Sequence, residues 1–279
     1  MSSNLQDVGF NLEVRLAETA AEIAAAQELR YRIFYENMGA EPSDEMRRQR
    51  RDFDRFDPFC DHLLVLDTSG DGAPRVVGTY RLLRRSRALE EGCGFYSTSE
   101  FDLSAIDNVV GEVLELGRSC VDPEFRDRSV MQLLWKGIAD YLMENRITLM
   151  FGCASFPGID PDEMAHALSY LRYYHTAPNS WRPKALDDRY VRMDRLPKDS
   201  VDMRRALREM PPLIKGYLRL GGVIGDGAVI DDVFNTLDIC LLVETESVPD
   251  RYMRHYVKDG VAKIDEAKIN EDNVSERIS

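Results

Sequence analysis

The sequence predicts an α+β sandwich: a mixed, mostly antiparallel sheet flanked by helices and completed by a C-terminal extension. Three observations carry that expectation. Segments alternate in the order strand, helix, antiparallel strands, helix, strand, as a two-layer fold requires. "ITLMFGCASF", residues 147–156, is almost uninterruptedly apolar, which suits a central strand covered on both faces. No GxGxxG follows the first strand, which argues against a doubly wound nucleotide fold.

The elements follow in order. Leu12 to Leu16 reads as a short strand, and an alanine-rich helix runs from about Ala20 to Asn37 with Gly39 placed to end it. "EMRRQRRDFDRFDPFCD", residues 45–61, is polar, carries Pro58 and reads as a long, partly exposed loop. "HLLVLD" and "VVGTYRLLRR", joined by the turn "TSGDGAPR", form an antiparallel hairpin. Residues 89–104 make an irregular connection with a short helix. "VLELGRSCV" is the next strand. In "SVMQLLWKGIADYLMEN", Met131, Leu134, Trp135, Ile138, Tyr141 and Leu142 share one face, the spacing of a helix with one buried side. "DPDEMAHALSYLRYYH" reads as a helix capped by Asp160, with Pro161 in its first turn. An apolar-basic helix, "PPLIKGYLRLGG", precedes the late strands in "GAVIDDVFNTLDICLLVE". Residues 1–180 form the core, 181–257 an extension completing the sheet, and 258–279 a flexible tail of alternating charge.

Composition narrows the function. A net charge of −13 over 279 residues argues against nucleic-acid binding. The charge is uneven: from Arg182 to Arg219 eleven Lys or Arg stand against six Asp or Glu, and "RRQRRDFDR" spans Arg47 to Arg55. Basic faces on an acidic protein suit an acidic macromolecule or an anionic membrane; solvated loop and helix charge is the plainer alternative. No basic-then-apolar leader opens the chain, and no apolar run nears the roughly 20 residues of a membrane span. Five cysteines are scattered without CxxC or a histidine at ligand spacing, so reduced thiols in a cytoplasmic protein are expected and a metal is not.

The most informative stretch is "GEVLELGRSCVDPEFRDRSVMQLLW", Gly111 to Trp135. An apolar strand carries Glu115 and Arg118, then runs into a helix whose open first turn presents backbone N–H groups and the positive end of its dipole. That is an anion cradle. Arg126 and Arg128 stand beside it, with Ser129 as N-cap. The arrangement resembles the acyl-donor motif of the GNAT acyltransferase superfamily, whose loop of the type Arg/Gln-x-x-Gly-x-Gly/Ala holds the pyrophosphate of coenzyme A. Here the loop reads Arg126-Asp-Arg-Ser-Val-Met131 and lacks both glycines, so backbone approach to a pyrophosphate is poorer. A phosphopantetheine arm on an acidic acyl carrier protein bears a single phosphate, which arginines suit.

"LRYRIF", "FDPFCDHLLVLD", "VVGTYRLL", "YSTSEFDLS", "LELGRSCVDP", "MFGCASFPGIDP" and the late "PPLIKGYLRLGGVIGDGAVIDDVFNTLDICLLVE" together resemble the ornithine lipid N-acyltransferases. The resemblance covers nearly the whole chain. It implies a GNAT-like fold and transfer of a 3-hydroxyacyl chain from acyl carrier protein to the α-amine of L-ornithine, giving lyso-ornithine lipid, with no cofactor beyond the donor's phosphopantetheine. The acyl-homoserine-lactone synthases, which take S-adenosylmethionine, share Arg30 and Phe34, the aspartates Asp52, Asp54 and Asp57, Arg81, and the Glu115–Arg118 pair. "ENMGA" lacks their tryptophan, "RLLRR" lacks their Pro-Thr, and the C-terminal third is additional, which favours the ornithine branch. A non-catalytic binder of carrier protein or membrane is the other rival.

Aminolysis of a thioester needs a base, a polarised carbonyl and room for the leaving sulfur. Glu115 is the candidate base, its apolar neighbours Leu114 and Leu116 favouring a raised pKa; a structural Glu115–Arg118 ion pair is the alternative. Arg118 would orient Glu115 or hold a carboxylate, and backbone N–H groups from Ser119 to Val121 would meet the thioester oxygen. Arg81 would clamp the substrate carboxylate, or simply face the surface. Arg30, beside Phe34, is a substrate-binding candidate or a snorkelling residue. Asp57 and Asp61 would receive the distant ammonium of ornithine, or cap their loop. Cys120 has no paired histidine, which removes covalent catalysis; His62 and Cys153 read as structural. "PPLIKGYLRL" could lie peripherally on the inner membrane face or pack against the sheet, and packing is preferred.

Overall fold

The computed structural model describes residues 11–125 and 128–248, without the side chain of Arg128. Arg126 and the tail expected over 258–279 lie outside the described residues. The elements are β1 (Leu12–Leu16), α1 (Ala20–Tyr31), α2 (Asp44–Gln49), β2 (Asp61–Asp67), β3 (Arg75–Arg84), α3 (Arg85–Glu90), β4 (Phe101–Asp102), β5 (Glu112–Val121), α4 (Arg128–Glu144), β6 (Ile147–Pro157), α5 (Ala165–Tyr174), β7 (Lys184–Ala185), α6 (Met203–Glu209), α7 (Pro212–Arg219), β8 (Val223–Asp231) and β9 (Thr236–Glu244).

Among the described residues nine strands form one sheet in the order β1-β2-β3-β5-β6-β9-β8-β7-β4. The β5–β6 and β7–β8 pairs are parallel and the other neighbours antiparallel. This is the mixed, mostly antiparallel sheet of a GNAT-like fold. The alternation of β2 explains its two coats. Leu63 and Val65 join Leu134 and Ile138 of α4 on one face, whereas Leu64 and Leu66 join Ala26, Leu29 and Ile33 from α1 and the turn after it on the other. Glycines let α4 sit close: a Cβ on Gly78 would stand 2.7 Å from Val130, and one on Gly137 2.8 Å from Val14.

The feature that makes a site is a parting of strands. β5 and β6 pair from Glu112↔Ile147 to Glu115↔Phe151 and no further, while β5 continues on β3 and β6 continues on β9. Where they begin to separate, the Leu116 carbonyl leans onto Gly152, so that a Cβ there would stand 2.1 Å from its oxygen. Just beyond, β5 carries an extra residue: Thr79 pairs with Cys120 and Arg81 with Gly117, and Arg118 takes the left-handed conformation at φ 51°. Such a bulge re-aims side chains and leaves backbone out of the ladder.

Four expectations are corrected. The helix begun at Ala20 gives way at Arg32 to a wider π-helical turn, Arg32–Asn37. The segment 45–61 is partly exposed as expected but is not all loop: it begins in α2, and Asp52 and Asp57 are buried among arginines from distant elements. α5 starts at Ala165, because Asp160 closes a separate turn by accepting from the Asp162 N–H at 2.9 Å. α4 is already helical at Arg128, which puts Ser129 inside its first turn rather than at the cap. The preferred packing of "PPLIKGYLRL" holds: Ile214 and Tyr217 of α7 are buried, and the Tyr217 ring meets Trp135 edge-on at 4.7 Å.

Candidate active site

The gap between β5 and β6 opens into a cavity of about 870 Å³. Its walls are the parted strands, Glu115 to Val121 and Cys153 to Ser155, with Met131 and Trp135 of α4, Leu213 and Arg219 of α7, and the rings of Phe34, Tyr96 and Phe234. A second, smaller hollow shares Leu116 to Ser119, Cys153, Ala154 and Leu213 with it and adds the apolar side chains of Met150 and Leu241. The combination, a broad polar-edged mouth and a greasy recess, suits a ligand with a polar end and an acyl chain.

A knot of buried charge lies beside Glu115. Arg30, from α1, is 1% exposed; its Nε donates to Asp52 Oδ2 at 2.6 Å and its terminal nitrogens to Asp57 at 2.7 and 3.1 Å. Arg81, from β3, donates to Asp54 at 2.7 Å and Asp57 at 3.4 Å. Arg118, from the β5 bulge, donates to Asp54 at 3.3 Å and its Nε stands 3.2 Å from Asp52. Tyr35 completes Asp52 with a 2.9 Å bond from its hydroxyl. Burial works to raise the pKa of Asp52, but Arg118 and Arg30 outweigh it and hold the carboxyl below its ordinary value. Such a set is stable only when complete, since removing one partner leaves a buried charge uncompensated.

Glu115 is held differently. Its Oε2 accepts from the Tyr96 N–H at 2.9 Å, and its Oε1 accepts from the Ser97 N–H at 2.8 Å and the Ser97 hydroxyl at 2.7 Å. Burial pushes its pKa above the ordinary carboxylate value, and the Ser97 and Tyr96 donors pull it back only in part. A carboxyl so placed, lining a cavity with its pKa raised by burial, is a better proton acceptor than an exposed carboxylate. The Glu115–Arg118 ion pair does not form. The bulge turns Arg118 to Asp52 and Asp54, and its guanidinium lies 4.7 Å from the Tyr96 ring centroid and 5.1 Å from that of Phe234.

Of the sequence-derived candidates, Phe34, Arg81, Glu115, Arg118, Ser119 and Val121 converge on the cavity. Arg81 is not surface-facing, being 4% exposed. Arg30 neither snorkels nor reaches the cavity; it orders the aspartates that hold Arg81 and Arg118. Asp57 is spent on Arg30 and Arg81, and Asp61 accepts from the Tyr141 hydroxyl at 2.6 Å outside the cavity, so neither receives a substrate ammonium there. Burial raises the Cys120 thiol to about 12, which agrees with an inert core residue. Sequence reasoning missed Tyr96, Ser97, Phe234 and Asp238 as cavity residues. The first two stood inside "YSTSEFDLS", whose turn supplies the donors to Glu115.

The acetyltransferase (GNAT) domain family matches residues 29–136, a span holding the charge knot, Glu115 and the start of α4, and the protein is an acyltransferase of that class. The chain is 47% identical over 249 residues to the L-ornithine N(alpha)-acyltransferase of Agrobacterium fabrum, covering 88% of this chain and 85% of that one. It is 42% identical over 251 residues to the L-ornithine N(alpha)-acyltransferase of Rhodobacter capsulatus, covering 89% of this chain and 96% of that one. The chain belongs to the L-ornithine N(alpha)-acyltransferase family. Among solved structures it is similar to FeeM, an N-acyl amino acid synthase from uncultured soil microbes, at 12% identity and a TM-score of 0.47 over 85% of this chain and 93% of that one.

Proposed function

We propose that the chain transfers a 3-hydroxyacyl group from acyl carrier protein to the α-amine of L-ornithine, forming lyso-ornithine lipid. The observation that carries this reading is Glu115, buried, with its pKa raised by that burial, at the point where β5 and β6 part. The phosphopantetheine arm enters the gap and its acyl chain runs into the apolar recess beside Met150 and Leu241. Glu115 takes a proton from the incoming ammonium. The freed nitrogen attacks the thioester carbon, forming the C–N bond and placing charge on the oxygen, which backbone N–H groups at the β5 bulge would stabilise. Collapse breaks the C–S bond as the nitrogen gives up its second proton, and the pantetheine thiolate leaves as the thiol with that proton. No covalent enzyme intermediate is required. Arg118, 12% exposed at its side chain, and Arg81 line the cavity and would hold the α-carboxylate of the acceptor.

The donor's acidic carrier has a basic face to meet. Within the 182–219 cluster several cations are neutralised locally, such as Arg192 by Asp194 and Arg205 by Glu209. Arg204, Arg208, Lys215 and Arg219 on α6 and α7 form no ion pair among the described residues, and Arg219 reaches the cavity wall. Exposed Met203 and Leu207 share α6 with them, a mixed surface suited to a carrier protein or to peripheral membrane contact from the cytoplasm. Among the described residues no helix is long and apolar enough to cross a membrane.

The test is product mass. Purified protein with 3-hydroxyacyl carrier protein and L-ornithine yields the N-acyl amino acid. Product appearing only with S-adenosylmethionine would identify a lactone synthase, rapid turnover of acetyl-CoA would remove the carrier protein from the scheme, and no turnover of any donor would leave a binding protein.

A further inference from the structure

Two carboxylates near the cavity meet cations only at a distance, Asp238 feeling Arg118 and Glu100 feeling Arg189. Asp238, the third residue of β9, is 5% exposed, lines the cavity, and keeps its Oδ1 without a hydrogen-bond partner. Glu100, 2% exposed, lies behind it. A Glu100 oxygen, the Cys153 sulfur and an Asp238 oxygen all lie within 4.8 Å of one another. Neither acid forms an ion pair among the described residues. Burial and mutual repulsion drive the Glu100 carboxyl up to about 7, and burial likewise raises Asp238. An isolated buried carboxylate is unfavourable unless a cation or a proton offsets it, so a positive ligand reaching Asp238 from the cavity would displace a proton from this corner.

Its connection to the reacting centre is direct. The Ser97 hydroxyl that donates to Glu115 at 2.7 Å lies 3.3 Å from Cys153 Sγ, and that thiol donates to Glu100 at 3.1 Å. The proton base and the acid pair are thus separated by one serine and one cysteine. A metal is the weaker occupant, because a thiolate is the ligand form of cysteine and burial holds the Cys153 proton on well above its ordinary pKa. An organic ammonium needs only acceptors.

We propose that Asp238, backed by Glu100, receives the side-chain ammonium of the acceptor while Glu115 deprotonates its α-amine, and that this acid pair selects a diamino acid over a neutral one. The inference rests on the reading of the chain as an ornithine N-acyltransferase and assigns the acceptor's far end, a task Asp57 and Asp61 cannot perform.

L-Norvaline, which has the carbon chain of ornithine without the second amine, separates the two ideas. With 3-hydroxyacyl carrier protein, the wild-type protein should favour ornithine over norvaline in kcat/KM by about 100-fold, as a charge-assisted bond in a buried site allows. Asp238→Asn should cut that preference to about tenfold or less by raising KM for ornithine, leaving kcat/KM for norvaline within about threefold of wild type. Glu100→Gln should move the ratio the same way by a smaller factor. Calorimetric titration of ornithine into both variants supplies the same comparison should norvaline turn over too slowly to measure. An unchanged preference, or an equal loss on both substrates, overturns the acid-pair assignment while leaving ornithine acylation intact. Thiolate-to-cobalt absorbance on adding Co²⁺, lost in Cys153→Ser, would reassign the corner to a metal and also overturn it. If wild-type protein acylates neither amino acid, the underlying reading of function has failed first.

Discussion

Replacing Glu115 by glutamine tests the proposed base and its cradle together. The carboxylate uses both oxygens as acceptors, one for the Tyr96 N–H at 2.9 Å and the other for the Ser97 N–H and hydroxyl at 2.8 and 2.7 Å. Glutamine has one acceptor oxygen. If that oxygen keeps Ser97, its NH₂ faces the Tyr96 N–H, so a buried donor loses its partner at a cost of about 1–3 kcal/mol. In a chain of this size that lowers Tm by about 2–10 °C. Loss of a positioned base is larger, about 10²–10⁴ in rate, so activity should fall far beyond what the thermal shift explains. The pH dependence separates the two effects. Burial raises the folded pKa of Glu115 above the ordinary value of about 4.3, so wild-type kcat/KM declines as pH falls through that raised value, and Glu115→Gln lacks this limb. Stability carries the opposite sign: ionising Glu115 as pH rises weakens the wild-type fold, and the thermal deficit of the variant should narrow. Amide formation followed by mass spectrometry across pH, beside calorimetric melting, reads both. A variant that keeps kcat/KM within threefold and retains the acid limb would refute Glu115 as base.

Four more outcomes are expected. Arg30→Met strands Asp52 and Asp57 without their principal partner, which should cost about 3–5 kcal/mol in denaturant unfolding and be worse than the double change with Asp57→Asn. Glu100→Gln should flatten the pH profile of stability: with a folded pKa of about 7 and an ordinary value near 4.3, the wild-type contribution is full below about 4.3 and is lost as pH rises through about 7, a difference of about 3 kcal/mol that melting at pH 5 and pH 8 would show. Gly152→Ala drives a methyl into the Leu116 carbonyl and should lower both Tm and turnover, by about 1–3 kcal/mol in stability. Carrier-protein kcat/KM should fall with ionic strength, less steeply in Arg204→Ser/Arg208→Ser, as stopped-flow titration against salt would reveal.

Much of the fold was legible because it follows local periods. The hairpin of β2 and β3, the apolar face of α4 and the continuous run of β6 all announced themselves by spacing. The loop 45–61 did not, since its aspartates look solvated until Arg30, Arg81 and Arg118 arrive from α1, β3 and β5 to bury them. Periodicity carries no record of a partner 64 residues away, the separation of Asp54 and Arg118. The bulge was equally hidden, because nothing in "LGRSC" demands a left-handed arginine. Asp238 left a trace, one acid inside the apolar strand "TLDICLLV", but which face it served depended on β9 lying against β6. Asp57 and Asp61 were assigned to an ammonium by charge alone, and charge does not reveal which acids are already spoken for.

The aspartate loop also bears on how the molecule assembles. Its three acids gain their counterions only after a helix and two strands, far apart along the chain, have come together. Its order therefore depends on all three of those elements being in place at once, because each acid would otherwise be a buried charge without a partner. The same loop that ties a helix to two strands is the one that aims Arg118.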